Sequence, residues 1–354
     1  MKRREFMKTT AIAAPAAVLA TPAIAQGKIE WKMPTSFPAK APGVGTNATT
    51  FAQRVADMSD RQLTLKVFSG GELVPPFGVE DAVQQGTAEI GHSTPYYAAS
   101  KNTALHFFSA VPFGMTAVET QAWLRFGGGQ DLWNEIYAER GLIPFYSGNS
   151  GVQAAGWFKN PITKLEDLSG LNMRIAGLGG EAMRKVGVNA VLLPPPEIFQ
   201  AFQSGAIDAA EWVGPMLDQA FGLQKVAKHC YVPAFHEPSA GLEIVVNKEA
   251  WDGLPKHLQA VIANAADAAN TEALAQFAYF NALAMKQLQD AGVEFGSFPD
   301  DVVAALKKAS MEVLEENAAA NPTFRKVMDS YNAFLDIARP YAATVEAPVY
   351  SQRM

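Results

Sequence analysis

From Lys256 to Ala291 the chain carries an almost unbroken helical pattern, rich in alanine, glutamine and leucine. At a rise of about 1.5 Å per residue, such a helix exceeds about 50 Å. That is too long for one small domain, so it must span two domains or reach a second subunit. Two more helical stretches, Asp300–Ala319 and Pro322–Ala338, follow it. With 354 residues, about half of them apolar, the chain has enough material for roughly two cored domains.

Upstream of this helix, strand and helix patterns alternate. Ile29–Met33 and Leu63–Phe68 read as half-buried strands, with Val44–Ser59 as the helix between them. Phe77–Gln85 reads as a helix and Ala88–His92 as a short strand. This βαβαβ order predicts an open α/β sheet. After two helical stretches over residues 117–140, a strand at Leu142–Ser147 leads into a second α/β unit over roughly 150–237. Its predicted strands are Val152–Phe158, Met173–Ala176, Val188–Leu193 and Ile207–Trp212, and Pro215 discourages regular structure beyond the last of them. Leu242–Val246 reads as a strand that rejoins the first unit. The predicted organisation is therefore a first lobe over 26–149 and 238–280, a second over 150–237, and a C-terminal helical region over 281–354.

Residues 1–25 read as an export signal rather than as part of the fold. Lys2-Arg3-Arg4-Glu5-Phe6-Met7-Lys8 precedes a short apolar stretch, and Ala23-Ile24-Ala25 forms a small-residue cleavage pattern. The paired arginines match a twin-arginine signal. Removing this segment leaves 25 Lys and Arg against 34 Asp and Glu, a net charge of −9. No later stretch approaches the length of a membrane-spanning helix, so a soluble periplasmic chain is expected. The acidic balance argues against nucleic acid as a partner. Cys230, the one cysteine, reads as a small buried apolar residue.

Several segments invite chemistry. Gly177-Leu178-Gly179-Gly180-Glu181-Ala182 fits the loose dinucleotide fingerprint, with Glu197 near the spacing of a ribose-binding acid. An exported NAD(P)-dependent oxidoreductase is the alternative function this loop raises; a plain glycine turn opening a helix is the other reading. His229, His236 and Glu237 could be grouped as a zinc site, although none of the histidines has helical i, i+4 spacing. Gly148-Asn149-Ser150-Gly151 is not a nucleophile elbow. Arg174, set among apolar residues at a strand end, needs a planar acceptor: an internal carboxylate or a ligand's. Gln153 reads equally as a strand-face amide or a ligand contact. Asp208 to Pro215, DAAEWVGP, places the carboxylate of Glu211 directly beside Trp212 at a strand end.

Residues 148–158, 168–176, 191–199 and 211–214, with Gly70-Gly71-Glu72-Leu73 and Ser169–Arg174, together resemble the solute-binding subunits of tripartite ATP-independent periplasmic (TRAP) transporters, DctP type. Asn149, Gln153 and Glu211–Pro215 are similar to the branch that binds 2-oxo and 2-hydroxy monocarboxylates with a metal ion. The resemblance implies a two-lobe periplasmic binding fold with an interdomain cleft and no catalysed reaction. It implies that Arg174 grips the ligand carboxylate, and that Gln153, Glu211 and the main-chain oxygen of Trp212 ligate Ca²⁺ or Na⁺. It further implies that Asn149 bonds ligand or cation, that Glu237 supports or joins the ligand set, and that Phe37, Tyr96, Tyr97 and Phe113 form the wall from the first lobe. Small and large membrane subunits and a homodimer, through the long helices, are the implied partners. Met216-Leu217 and His236-Glu237 depart from that branch and open the range of acids to larger or more aromatic ones.

Overall fold

The computed structural model describes residues 27–353, so the export signal read in residues 1–25 lies outside the described residues. Strand β1 (Ile29–Pro34) and β2 (Leu63–Phe68) pair in parallel, with α1 (Val44–Met58) as the crossover. Trp31 and Met33 of β1, Phe51 and Val55 of α1 and Leu63 of β2 bury into one core, which is what the alternation and the helical spacing require. Helix α2 (Val79–Gln84) leads to β3 (Ile90–Ser93). Helices α3 (Ala117–Phe126) and α4 (Gly129–Ala138) precede β4 (Leu142–Asn149).

The chain then enters the second lobe through β5 (Gly156–Phe158), β6 (Asn172–Arg174), α5 (Gly177–Lys185), β7 (Asn189–Val191), α6 (Ile198–Ser204), β8 (Ala209–Ala210), α7 (Pro215–Phe221) and β9 (His229–Tyr231). It returns on β10 (Gly241–Asn247), the central strand between β3 and β4 and antiparallel to both. The expected return of this strand to the first unit is therefore observed. Helix α8 (Lys248–Asp252) precedes α9 (Lys256–Asp290), whose bounds match the sequence pattern to one residue.

Along its length α9 touches both lobes. It packs on α1 and β4 of the first lobe and on α7 of the second. Beyond it, β11 (Glu294–Gly296) adds a parallel edge to β9, completing a six-stranded sheet in the order β11-β9-β5-β8-β6-β7. Helix α10 (Asp300–Ala320) contributes Val302, Leu306 and Ala309 to the second lobe's core. Helix α11 (Pro322–Tyr341) contributes Phe324, Val327, Tyr331 and Leu335 to the first lobe's core. The C-terminal stretch read as one helical region over 281–354 is thus shared between the lobes. Helix α12 (Ala347–Gln352) ends the described chain, and no helix in it is long and apolar enough to cross a membrane.

The strand expected over 188–193 is confined to Asn189–Val191 at the sheet edge, and three further differences fall at one place. The strand expected over 152–158 is confined to Gly156–Phe158, because residues 153 and 154 bond outside the sheet and only Ala155 reaches β9. Gln153 N–H donates to Glu237 O, Ala154 N–H to Val213 O, and Ala155 N–H to Tyr231 O. The strand expected over 207–212 is confined to Ala209–Ala210. Pro215 starts a helix instead of ending regular structure. It occupies the first turn of α7, where a missing N–H costs nothing. The buried Asp218 carboxylate accepts the N–H groups of Val213 and Gly214 at 3.0 and 3.1 Å, fixing the turn that follows Trp212.

Candidate functional site

Strands β6 and β8 are parallel neighbours with Arg174 opposite Ala210, so Arg174 and Glu211 emerge side by side at the strands' C-terminal ends. Glu211 N–H donates to Arg174 O at 2.9 Å. The Arg174 Nη1 donates to Glu211 Oε2 at 2.6 Å and to the Glu211 main-chain oxygen at 2.5 Å. The guanidinium carbon stands 5.2 Å from the centre of the Trp212 ring. Arg174 and Glu211 are each only 1% exposed. Charge pairing and the indole face offset the cost of burying this arginine. Burial alone would lower the Arg174 pKa; the Glu211 carboxylate reverses this and raises it.

Around the pair lie polar atoms with no partner. Gln153 donates its amide to Ser150 Oγ at 2.9 Å, which orients the side chain and leaves its Oε1 unpaired. Glu211 Oε1, Glu237 Oε2, both ring nitrogens of His236 and Arg174 Nε are also buried and unpaired. One donor atom from each of Glu211, His236 and Glu237 falls within 4.8 Å of the others. Main-chain bonds tie Gln153 to Glu237 and Ala154 to Val213, so three separate segments are held together here. Burial, and next the Glu211 charge, push the Glu237 carboxyl well above its usual range, with Arg174 opposing. Each unpaired buried group costs about 1–3 kcal/mol. Acceptors that converge on one space are satisfied together by a cation; the carboxylate oxygens of Glu211 and Glu237 do so and suit a hard one, while Gln153 Oε1 is a further unpaired buried oxygen on a segment bonded to Glu237.

The first lobe covers this space with rings. Phe37 sits 6.4 Å from Trp212 and 6.0 Å from Tyr97, centre to centre. Tyr97 lies beside the Arg174 guanidinium, and Tyr96 beside Glu237. Burial, as the first cause, pushes both phenols up and keeps them protonated donors. Phe113 stands further back: it packs on Phe235 at 5.8 Å and takes a bond from its own N–H to Phe235 O. Asn149 donates to Tyr146 Oη at 2.5 Å and accepts Gly151 N–H at 2.7 Å. Its amide is engaged in bracing the turn that carries Ser150 and Gln153.

Two sequence readings are corrected. The zinc grouping fails because His229 pairs with Glu294 at 3.0 Å, whereas His236 and Glu237 gather with Glu211. The dinucleotide loop is the start of α5 in a parallel β6-α5-β7 unit, yet its glycine serves packing: a Cβ on Gly179 would meet His236 Cβ at 2.4 Å. Sequence reading grouped His236 with Glu237 but joined them to His229 rather than to Glu211, and it missed Asp218 and Ser150. Only the fold brings those side chains to the site, and none of the three sits in a motif whose spacing carries that information.

The model of the bacterial extracellular solute-binding protein family 7, DctP, matches residues 36–321. A monocarboxylate 2-oxoacid-binding periplasmic protein of Nostoc sp. is 41% identical over 342 residues, 94% of each chain. A TRAP transporter solute-binding protein from Bordetella bronchiseptica is similar in structure, with a TM-score of 0.90 and 35% identity over 92% of this chain and 97% of that one. It is a mixed-occupancy dimer with copurified calcium and picolinate in its occupied site. A TRAP periplasmic solute-binding protein from Pseudoalteromonas atlantica, solved with sodium and pyruvate, has a TM-score of 0.89 and 34% identity over 93% of this chain and 100% of that one. No oxidoreductase reading is supported by these likenesses. The fold, the buried arginine–carboxylate site and the match over most of the sequence place the chain in the extracellular solute-binding protein family 7, the DctP family of periplasmic solute-binding proteins.

Proposed function

We propose that this chain is the extracytoplasmic receptor of a TRAP transporter and binds a small 2-oxo or 2-hydroxy monocarboxylate together with Ca²⁺ or Na⁺. The observation that carries the reading is the set of unpaired buried oxygens on Gln153, Glu211 and Glu237 beside Arg174. An anionic guest about 4 Å from Glu211 meets a repulsion of roughly 4 kcal/mol at an effective dielectric of about 20. Arg174 offsets one negative charge. With the guest, Glu211 and Glu237 ionised, two remain, and a dication brings the set to neutrality. A monocation does the same with Glu237 protonated. Acid and cation therefore bind cooperatively.

In this reading Arg174 turns its free Nε and guanidinium edge to the guest carboxylate. Gln153, Glu211 and Glu237, with the Trp212 main-chain oxygen, hold the ion, which supplies charge neutralisation. Phe37, Tyr96 and Tyr97 exclude water, and Asn149 positions Gln153 through the turn. Phe113 supports the wall from behind, through Phe235. The guest is bound and released unchanged. Arg174, Gln153, Glu211 and Glu237 are at most 5% exposed, which favours an acid small enough to be fully enclosed. The chain is periplasmic as a member of its family, and twin-arginine export is the proposed route. Small and large membrane subunits are the proposed docking partners. A homodimer is proposed through the exposed stripe Ile337, Tyr341, Val345 and Val349, which recurs every fourth residue. A thermal-shift screen of small organic acids with and without chelator tests the ligand class: pyruvate or lactate should raise Tm, and chelator should remove most of the rise. Equal shifts with chelator present, or none from any monocarboxylate, would contradict the reading.

A further inference from the structure

We propose that His236 is a nitrogen ligand within this cation site, so that the site accepts a first-row transition dication of the Co²⁺ or Ni²⁺ class more tightly than calcium. The inference rests on the reading of the site as cation-binding. Both ring nitrogens of His236 are buried without a hydrogen-bond partner. Nε2 lies 3.9 Å from Glu211 Oε1, which is itself unpaired. That is too long for a hydrogen bond. It lets both atoms reach one ion, since two bonds of about 2.1 Å open to roughly 135° span that distance. Glu237, the next residue, offers a carboxylate oxygen to the same space.

The ring is also held in place. Phe235 flanks it at 5.0 Å, and α5 approaches so closely that Gly179 has no room for a Cβ against it. This gives the glycine motif of α5 a purpose: it admits an imidazole where the oxygens converge. Imidazole is a good donor to Co²⁺, Ni²⁺ and Zn²⁺, whereas Na⁺ and Ca²⁺ take oxygen and Mn²⁺ binds either. One nitrogen added to an oxygen set therefore moves selectivity toward the transition dications.

The test loads metal-free full-length mature protein with Mn²⁺ and reads nitrogen hyperfine coupling by pulsed electron paramagnetic resonance. Calorimetry with Co²⁺ and with Ca²⁺, each with and without pyruvate, accompanies it. Directly bound imidazole nitrogen is expected in the wild type and absent in His236→Gln. The preference for Co²⁺ over Ca²⁺ should fall about tenfold or more in that variant. Gly179→Ala, which displaces the ring without removing it, should weaken the coupling. Absence of nitrogen coupling in the wild type, or an unchanged preference in His236→Gln, overturns the proposal. If His236→Gln instead weakens pyruvate equally with every cation, the ring donates to the acid and the proposal is wrong. Failure of pyruvate to bind with any cation would sink the receptor reading alone, because the Mn²⁺ signal needs no acid.

Discussion

Arg174 and Glu211 are a pair before they are a ligand site, and this sets what their substitutions do. Arg174→Ala leaves Glu211 buried with no counter-charge, so it should remove carboxylate binding and also cost about 3–5 kcal/mol of stability. The double variant Arg174→Ala/Glu211→Ala should regain much of that stability and none of the binding. Denaturant unfolding and calorimetry, run on both variants, separate the two effects. A double variant that binds pyruvate normally would contradict the guanidinium clamp. These two residues were legible in the sequence because a lone arginine among apolar neighbours and a carboxylate beside a tryptophan both demand a partner. His236 was not legible as their neighbour, since it joins them through a loop whose path only packing decides. Asn149 entered the reading only through the family resemblance, and its commitment to Tyr146 and Gly151 was not legible, because the sequence does not show the turn it braces.

At the scale of elements, the long helix was the easiest feature to read and the short strands the hardest. Helix α9 has thirty-five residues of sustained pattern, while β8 has two, and its limits depend on which neighbours complete its ladder. Helix α7 was missed because a proline reads as a stop until the Asp218 carboxylate beyond it is seen capping the turn. Strand β10 hides another feature. Glu243 is fully buried in it, accepts the Tyr137 hydroxyl at 2.7 Å, and is pushed up to about 7, chiefly by burial. An acid whose folded pKa is raised stabilises the fold below its unfolded pKa, near 4.5, and that contribution is lost as pH rises through about 7. Replacing Glu243 by Gln should therefore flatten the decline of stability between those values, by on the order of 3 kcal/mol. Unfolding free energies measured across that range check it; an unchanged pH slope in the variant would rule it out.

At the scale of the molecule, the two lobes meet over the site, and α9 ties them together from behind. The two-lobe architecture was legible in two successive α/β patterns, while the long helix left open whether it spans two domains or reaches a second subunit. The split of the C-terminal helices between the lobes was not legible, because their apolar faces do not name the surface they cover. The apolar stripe over 337–349 remains exposed on a single chain, so on the proposed dimer the full mature chain should run as a dimer and a chain ending before Ile337 as a monomer. Light scattering after size exclusion distinguishes them. The central claim is that acid and cation share one buried space and need each other. Calorimetric titration of pyruvate into metal-free mature protein, and into the same protein saturated with Ca²⁺, tests it most directly. The account predicts affinity at least about a hundredfold higher with the ion, from removal of a repulsion of several kcal/mol. Equal affinity in the two titrations would contradict it.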